Sequence, residues 1–299
     1  MILKNCLINS QHCVITFRDY LLHIVGPDIL AKQLSTYPGY DKNVDPSISN
    51  VFATAAYRFA HLMIQPYVFR LDEQYKEHPL YSSPLLHKSF FAPWRVVFEG
   101  GLDPILRGLV GNPAKLNTQD HMMSDELRDW LFTFFAKLSM DLASLNMQRG
   151  RDHGLPGNYL IVITICDRKT TQGLKQGFLS TLTPDNIDVW LGGVAEPFVP
   201  GGRVGPLFAC LISTQFQRIR QCFLCIKTFT FTFLFKFNHA VPFQTLVGAF
   251  TEAQRRPLRE TSLARIIGDN TDITDVPDKP FQYRPPRVRV HPLRERQCL

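Results

Sequence analysis

Apolar side chains recur at helical spacing along much of the chain, most clearly between residues 124 and 146. Ser124 can cap this segment, and the acidic residues that follow it favour the positive end of a helix dipole. The apolar positions of the segment fall on one helical face. They are Leu127, Leu131, Phe134, Phe135, Leu138, Leu142 and Leu145. The pattern predicts a continuous helix over 124–146, with Asn146 at the edge of the apolar face and a stop at Gly154.

Three further segments carry signals for a helix start. Thr and Pro at positions 183–184 can supply an N-cap and a first helical residue, and Pro206 can begin another helix. Thr251 and Gln254 form a capping box ahead of a helical segment that Pro257 is expected to kink. These patterns together predict a mainly α fold.

Two stretches, 158–182 and 221–248, depart from the helical pattern. The first contains a β-branched run that gives way to polar residues. The second alternates phenylalanine with other residues, which is the period of a strand. Its alternating positions are Phe229, Phe231, Phe233, Phe235 and Phe237. We therefore expect both stretches to interrupt the helical domain and to lie outside its packed core.

Composition places the chain among globular proteins, with 45% hydrophobic and 20% charged residues over a length of 299. The formal net charge is +7. Part of the excess lies in residues 284–299, which we expect to form a disordered basic tail. The sequence contains no phosphate-binding loop and no RNA-binding aromatic signature, so nucleic acid is not an expected partner.

Seven cysteines leave at least one unpaired within the chain. Cys222 and Cys225 form a single CxxC pair without the further ligands that a zinc site needs. The amino-terminal residues lack an apolar run long enough for a signal peptide. The phenylalanine-rich run is interrupted by Lys227 and Lys236, which argues against a membrane span.

The first candidate functional motif lies in residues 57–66, whose sequence is YRFAHLMIQP. If this segment is helical, Arg58 and His61 share a face, three residues apart. An imidazole and a guanidinium on an apolar helix suit a haem, which needs a nitrogen ligand for iron and a cation for a propionate. A lone histidine on an apolar helix is also commonly a satisfied core residue, so this motif alone leaves both interpretations open.

A second, strongly polar motif follows the predicted helix at residues 145–157 and reads LNMQRGRDHGLPG. Its arginines could simply interact with carbonyls at a helix end. The motif resembles the signature of the animal haem peroxidase family of the myeloperoxidase and eosinophil peroxidase type, which reads LN-x-QRGRDHG-LPGYN. The similarity covers about residues 14–157, 183–220 and 249–280, and points to a partial peroxidase domain over 14–283 that is incomplete at its amino-terminal side.

The resemblance assigns roles to four residues of this chain. His61 matches the proximal haem ligand, and thus the metal ligand. Asn146 matches the asparagine that hydrogen-bonds the far ring nitrogen of that histidine, an interaction that fixes its tautomer. Arg58 and Arg149 match positions near the haem propionates. The implied cofactor is haem iron.

The distal part of the family's site has no counterpart among the matched segments. The resemblance places the distal histidine and arginine, the calcium-binding loop and the carboxylates that esterify haem upstream of them. No distal catalytic residue can therefore be assigned here, and the calcium site is expected outside this chain. The family also has a cysteine where Gly268 stands, whereas Cys166 could pair with Cys210 as in the family.

The resemblance implies a haem-dependent peroxidase that oxidises halide or small organic donors with hydrogen peroxide. It further implies an extracellular or secretory-granule location and a role in the response to oxidative stress. An alternative from another class is a catalytically dead or truncated relic, or an interaction module, that lacks the distal haem site. A narrower alternative is a fragment of a dual-oxidase or peroxidasin peroxidase domain.

Overall fold

A computed structural model describes residues 11–36, 41, 43–118, 120–133, 138–157, 186–221, 224–225, 233–234, 236–237, 243–244, 252–282 and 287–289. The described part of the chain is mainly helical, as the sequence predicts. Its α-helices are α1 Leu21–Val25, α2 Pro27–Ile29, α3 Asn50–Thr54, α4 Trp94–Val97, α5 Asp103–Gly111, α6 Asp125–Arg128, α7 Leu142–Asp152, α8 Val189–Ala195, α9 Pro206–Gln221, α10 Glu252–Glu260 and α11 Leu263–Asn270. Thr16–Tyr20 and Leu30–Leu34 are π-helical, and Ala56–Met63 and Leu86–Ser89 are 3-10 helices.

Short antiparallel strand pairs complete the described structure. The strands are β1 Leu224–Cys225, β2 Phe233–Leu234, β3 Lys236–Phe237, β4 Phe243–Gln244, β5 Asp275–Pro277 and β6 Arg287–Arg289. β1 pairs with β2, β3 with β4, and β5 with β6. Four of these strands lie in the phenylalanine-rich stretch, where the sequence predicts a strand period. The remainder of that stretch and residues 158–182 lie outside the described residues.

The chain divides into two compact units. The first unit comprises Met1–Phe59 and Asn146–Thr261. Its centre is α9, which begins at Pro206 as the sequence predicts and packs against α1, α3, α8 and the π-helix Leu30–Leu34. Leu207, Phe208 and Ile212 of α9 are fully buried. Apolar burial of this kind is the main favourable contribution to folding.

Aromatic rings extend this core along α9. The ring of Phe216 meets Phe17 edge-on at 5.7 Å between centroids and Phe52 at 6.1 Å. Such edge-to-face pairs stabilise a core beyond the area they bury. Cys210, on the same helix, is disulfide-bonded. Cys166 lies outside the described residues, so its expected pairing with Cys210 stays a prediction.

Arg18 joins the π-helix Thr16–Tyr20 to the end of α10. Its guanidinium donates to the backbone oxygens of Arg259 at 3.0 Å and of Thr261 at 2.6 Å. The same group makes two hydrogen bonds to Asp19, each 2.6 Å long. The last carbonyl oxygens of a helix have no hydrogen-bond partner within the helix. Arg18 supplies a partner for such oxygens at the end of α10.

A buried carboxylate fixes the start of α9. Glu196 lies just after α8 and accepts a hydrogen bond from the backbone nitrogen of Leu207 at 2.7 Å. A Cβ at Gly205 would collide with the Glu196 side chain, so only glycine fits there. Burial raises the pKa of Glu196 to about 7, and the hydrogen bond from Leu207 opposes that rise. The helix start is therefore held by a group that titrates near neutral pH.

The second unit comprises Ala60–Leu145 and Ser262–Leu299. Its hydrophobic cluster brings together α11, β5 and α5. The buried members are Ala264, Ile267, Ile273 and Val276, and Leu106, Val110 and Leu263 pack against them. The Tyr75 hydroxyl donates to the backbone oxygen of Asp275 at 2.6 Å, and Arg287 lies 4.0 Å above the Tyr75 ring.

The same unit contains two polar pairs that connect distant parts of the chain. The buried Arg70 donates to a Glu99 carboxylate oxygen at 2.6 Å. The Glu126 carboxylate of α6 accepts from the backbone nitrogen of His87 at 2.8 Å and lies 2.6 Å from its ring Nδ1. The carboxylate therefore holds the 3-10 helix Leu86–Ser89 against α6.

The continuous helix predicted over 124–146 is wrong. Ser124 does act as the N-cap, its hydroxyl accepting from the Glu126 nitrogen, but α6 ends at Arg128. Phe132 adopts a φ of 54°, and Leu131 forms an antiparallel bridge with Met140. Leu131 is buried whereas Leu138 is 77% exposed. Only some of the apolar positions are therefore buried in the core, because tertiary packing overrides the local helical period.

Two further expectations also need correction. The helical segment predicted after the capping box is divided between α10, which contains Pro257, and α11, because Ser262 is extended and caps a new helix start. Residues 287–289, expected to be part of a disordered tail, instead form β6 with Val288 opposite Val276. Thr251 and the segment at 183–184 lie outside the described residues.

Replacing Glu196 with Gln should change how stability depends on pH. The folded-state pKa of about 7 exceeds the ordinary value of 4.5, so wild-type stability falls as pH rises between these values. The loss should be on the order of 3 kcal/mol, at about 1.4 kcal/mol per unit of pKa shift. Gln can still accept from Leu207 but cannot lose a proton. Urea unfolding of both proteins from pH 4.5 to 8 measures the difference. Parallel curves for the two proteins would contradict the assignment.

Candidate functional site

The 3-10 helix Ala56–Met63 carries both Arg58 and His61. With three residues per turn, side chains at i and i+3 lie directly above one another. The buried Phe59 and Leu62 occupy other positions of the helix and anchor it. Arg58 and His61 are each partly exposed. The predicted shared face is therefore present, in a tighter helix than the α-helix that residue spacing alone would favour.

The signature segment forms the body and carboxyl end of α7. The Asp141 carboxylate starts this helix by accepting from the backbone nitrogen of Ala143 at 2.8 Å. The helix ends in a left-handed turn at Gly154, whose φ is 64°. Its backbone nitrogen donates to the Arg151 oxygen at 3.0 Å, and that of Leu155 donates to the Gly150 oxygen at 3.0 Å. Glycine at this place is the usual helix stop.

Arg58 and Asn146 meet within the first unit. Arg58 Nη1 donates to Asn146 Oδ1 at 3.3 Å. Asn146, predicted at the edge of an apolar face, is 0% exposed, so this amide of the polar motif is fully buried. A buried amide needs hydrogen-bond partners, because leaving it without them costs free energy. The contact joins two segments that are 88 positions apart in the chain.

The charge around Arg58 is not balanced by the described residues. Burial lowers the pKa of Arg58, and the positive charge of Arg149 lowers it further. Arg58 Nε is buried and has no hydrogen-bond partner in the described part of the chain. The ion pairs found among those residues involve neither Arg58 nor Arg149. Two neighbouring cations with an unmatched donor have the charge and hydrogen-bonding capacity to receive an anion.

The other polar residues of the motif make local contacts. Arg151 binds Asp188 through Nε at 3.0 Å and Nη2 at 2.8 Å, and the pKa of Arg151 is raised by this carboxylate. Gln148 donates to Asp152 at 2.8 Å. The side chain of His153 contacts Asn50 at the surface. These contacts hold α7 in place. Arg58 and Arg149, in contrast, form no ion pair among the described residues.

A cavity of about 180 Å³ lies beside α7 in the first unit. Its walls include Asn146, Met147 and Gly150 on one side and residues 186–190 on another. Ligand pockets usually measure about 300–1,000 Å³, so this space suits a few water molecules rather than a large cofactor. No sequence motif indicates that residues 186–190 line space beside Asn146.

Comparison with known proteins decides the family. The model of the animal haem peroxidase family matches residues 6–281. The chain belongs to the animal haem peroxidase family. The span of the match runs through both stretches in which the sequence loses its helical pattern.

Curated relatives of this animal haem peroxidase include three human enzymes. Thyroid peroxidase is 42% identical over 92% of this chain, and eosinophil peroxidase is 46% identical over 88%. Human myeloperoxidase is 45% identical over 88% of this chain. The matched regions make up 29%, 36% and 34% of these three relatives, so the chain spans about a third of their length.

A solved structure shows the same fold. Peroxidase A from Dictyostelium discoideum superposes with a TM-score of 0.67 and 27% sequence identity. The match covers 93% of this chain and 50% of that structure. The observed helical architecture is therefore that of a peroxidase in this family, over about half of the solved protein.

The charges at Arg58 and Arg149 can be tested for their fit to a haem, the cofactor that the family implies. Within the described ranges, no three His, Cys, Asp or Glu side chains cluster in a way that could hold a metal. A porphyrin supplies most ligands of its iron, so the protein needs to add few. The carboxylates of a haem also match the unpaired donor of Arg58 and the nearby charge of Arg149. Among the same residues, no helix is long and apolar enough to cross a bilayer.

Replacing Asn146 with Ala should lower the free energy of unfolding by about 1–3 kcal/mol, because the partly buried Arg58 loses an acceptor. Urea denaturation measures the loss. Arg151→Ala is the matched control, since it removes a guanidinium from a solvent-exposed ion pair, which contributes little to stability. Equal stabilities of Asn146→Ala and wild type would show that the contact does not support the fold.

Proposed function

We propose that this chain is the proximal, haem-holding part of a peroxidase that oxidises halide or small organic donors with hydrogen peroxide. The observation that carries the proposal is the unmatched cation pair of Arg58 and Arg149 beside the buried Asn146. Its support is membership of the family together with the charge and burial of these residues. The proposed location, extracellular or in secretory granules, and a role in oxidative stress follow from the relatives.

Arg58 and Arg149 would hold the carboxylates of the cofactor. Arg58 offers an unmatched, buried Nε donor, and its Nη1 is oriented by Asn146. Arg149 is exposed on the last turn of α7 and adds a second positive charge. A carboxylate beside them would relieve the repulsion between the two arginines and restore the pKa of Arg58. Guanidinium groups suit this task because they form charge-assisted, bidentate hydrogen bonds.

His61 would ligate the iron. It follows Arg58 by one turn of the 3-10 helix, so the same helix would carry both the ligand and a propionate partner. The family resemblance gives Asn146 the role of accepting the ring N–H of the iron ligand, which would fix the tautomer of that ligand and raise its basicity. When bound, haem supplies the redox chemistry with peroxide. The protein's own contribution would be to position the haem and to set the basicity of its iron ligand.

Distal catalytic groups remain unassigned in this chain. A positioned base that takes the proton of peroxide, and a cation over the departing oxygen, are needed for fast turnover. The resemblance places both, and the calcium site, upstream of the matched segments. The four assigned residues therefore account for cofactor binding and orientation. The complete active site is proposed for the longer peroxidase fold.

Hemin titration tests the iron ligand. Wild-type protein should bind hemin with a shifted Soret band, and His61→Ala should lose that shift because the iron loses its nitrogen donor. His12→Ala is the control, since His12 is an exposed histidine of the same chain. Identical spectra for wild type and His61→Ala would rule out His61 as the ligand.

Esterified hemin tests the arginines independently of the iron ligand. Wild-type protein should bind free hemin more tightly than hemin dimethyl ester, by about 10- to 100-fold, because each charge-assisted hydrogen bond contributes about 1.5–3 kcal/mol. Arg58→Leu should reduce this preference by removing one donor group. Arg151→Leu should retain it, because Arg151 is occupied by Asp188. An unchanged preference in Arg58→Leu would contradict the propionate assignment.

Turnover of residues 1–299 alone should exceed that of free hemin only slightly. A positioned general base contributes about 10²–10⁴-fold, and none is assigned here. Guaiacol and bromide oxidation by hydrogen peroxide, at matched haem content against hemin, measure the rate. Turnover several orders of magnitude above hemin would reveal a distal group within the chain, and His121 and His153 would then be the first histidines to replace.

A further inference from the structure

The cavity beside α7 lies between two walls that an ion pair joins. One wall is α7, with Met147 and Gly150, and the other is the segment 186–190, where α8 begins. Arg151 of α7 binds Asp188 of the second wall through Nε at 3.0 Å and Nη2 at 2.8 Å. The space is therefore bounded by connected elements of the first unit.

Trp190 gives this cavity an unsatisfied hydrogen-bond donor. The residue lines the cavity and is only 4% exposed. Its indole Nε1 is buried and has no hydrogen-bond partner in the described part of the chain. A buried indole N–H usually has an acceptor, because leaving it without one costs free energy. The donor is therefore suited to an acceptor that a bound molecule brings.

Packing of α8 against α9 holds the indole in place. Gly193 follows Trp190 by three residues on α8, and a Cβ at this glycine would lie 2.1 Å from the Phe208 ring. Phe208 is itself fully buried in the core of the first unit. Because the two helices are in such close contact, the wall that carries Trp190 is formed before a ligand arrives, which favours binding.

Size and charge define the class of molecule that fits the cavity. Its volume of about 180 Å³ is larger than the roughly 150 Å³ that hold one benzene molecule in another protein. Met147, Leu155 and Ile187 give the lining an apolar part. Among the described lining residues, Asp188 is the one that carries a charge, and Arg151 already matches it. An ion would therefore lack a counter-charge here, whereas a neutral ring needs none.

We propose that this cavity binds one small neutral molecule, about the size of benzene, whose carbonyl oxygen accepts a hydrogen bond from Trp190 Nε1. The carbonyl satisfies the buried donor, and the ring displaces the few water molecules that the space can hold. The proposal involves neither haem nor the arginines of the proposed cofactor site. Its failure would therefore leave the proposed function standing.

The indole proton of Trp190 gives a direct measurement of binding. The chain contains three tryptophans, and the other two, Trp94 and Trp130, are 52% and 48% exposed in the second unit. The full-length variant Trp94→Phe/Trp130→Phe leaves one indole N–H resonance in the proton–nitrogen NMR spectrum. Titration with cyclohexanone should move this resonance downfield to saturation, because the proton gains an acceptor. Cyclohexane has the same ring without an acceptor, so it should bind at least about fivefold more weakly and cause no downfield shift.

A second variant tests the location by filling the cavity. In the same background, Gly150→Leu should abolish the saturable shift. A Cβ at position 150 fits 3.7 Å from the Leu155 side chain, and the longer side chain would occupy the space. Gln148→Leu is the matched control, because Gln148 is exposed on the same helix and is not among the lining residues. Circular dichroism checks that both variants fold, and Gly150→Ala, which adds one methyl group and should weaken binding, replaces an unfolded Gly150→Leu.

A saturable downfield shift that persists in Gln148→Leu and disappears in Gly150→Leu supports the proposal. Absence of a saturable shift with cyclohexanone overturns it. Equal affinity for cyclohexane also overturns it, since Nε1 would then not select an acceptor. A shift in Gly150→Leu as large as in the background protein would place the ligand outside this cavity, which contradicts the proposal as well.

Discussion

Burial of an amide beside an unbalanced guanidinium is the constraint on which the candidate site depends. Asn146 is completely enclosed, and Arg58 is held beside it with a buried nitrogen that the described chain does not satisfy. Low local polarity strengthens the hydrogen bond between them and also makes any unmatched charge costly. The pair is therefore stabilised by one hydrogen bond and leaves one buried donor of Arg58 without a partner among the described residues.

The structure around this pair is organised to keep it rigid. Asp141 starts α7, Gly154 ends it, and Arg151 ties its last turn to Asp188. In the same unit, α9 supplies the most deeply buried apolar residues, and Glu196 fixes where that helix begins. A propionate-binding group must be held within a fraction of an ångström, which requires such support from neighbouring elements. The signature motif thus forms a helix ending in addition to its proposed role in cofactor binding.

In the second unit, several polar groups are paired but some large apolar side chains are exposed. Its ion pairs and its hydrophobic cluster are satisfied internally, yet α4 leaves three large apolar side chains in solvent. Soluble proteins tolerate scattered apolar residues, but a set aligned on one helical turn is characteristic of a contact surface. The second unit therefore combines paired polar groups with an exposed apolar turn.

The sequence by itself determined the family, the helical class and the starts of several elements. Ser124 caps a helix, Pro206 begins α9 and Gly154 ends α7 because capping, proline geometry and left-handed turns are local effects. The motif at 145–157 also singled out Asn146 and Arg149. Only the tertiary structure decided that the segment 124–146 breaks after Arg128, that Arg58 meets Asn146 across 88 positions, and that Arg287–Arg289 pairs with β5. These outcomes depend on which apolar residues find space in a shared core and which polar groups find partners, and neither is a property of neighbours in sequence.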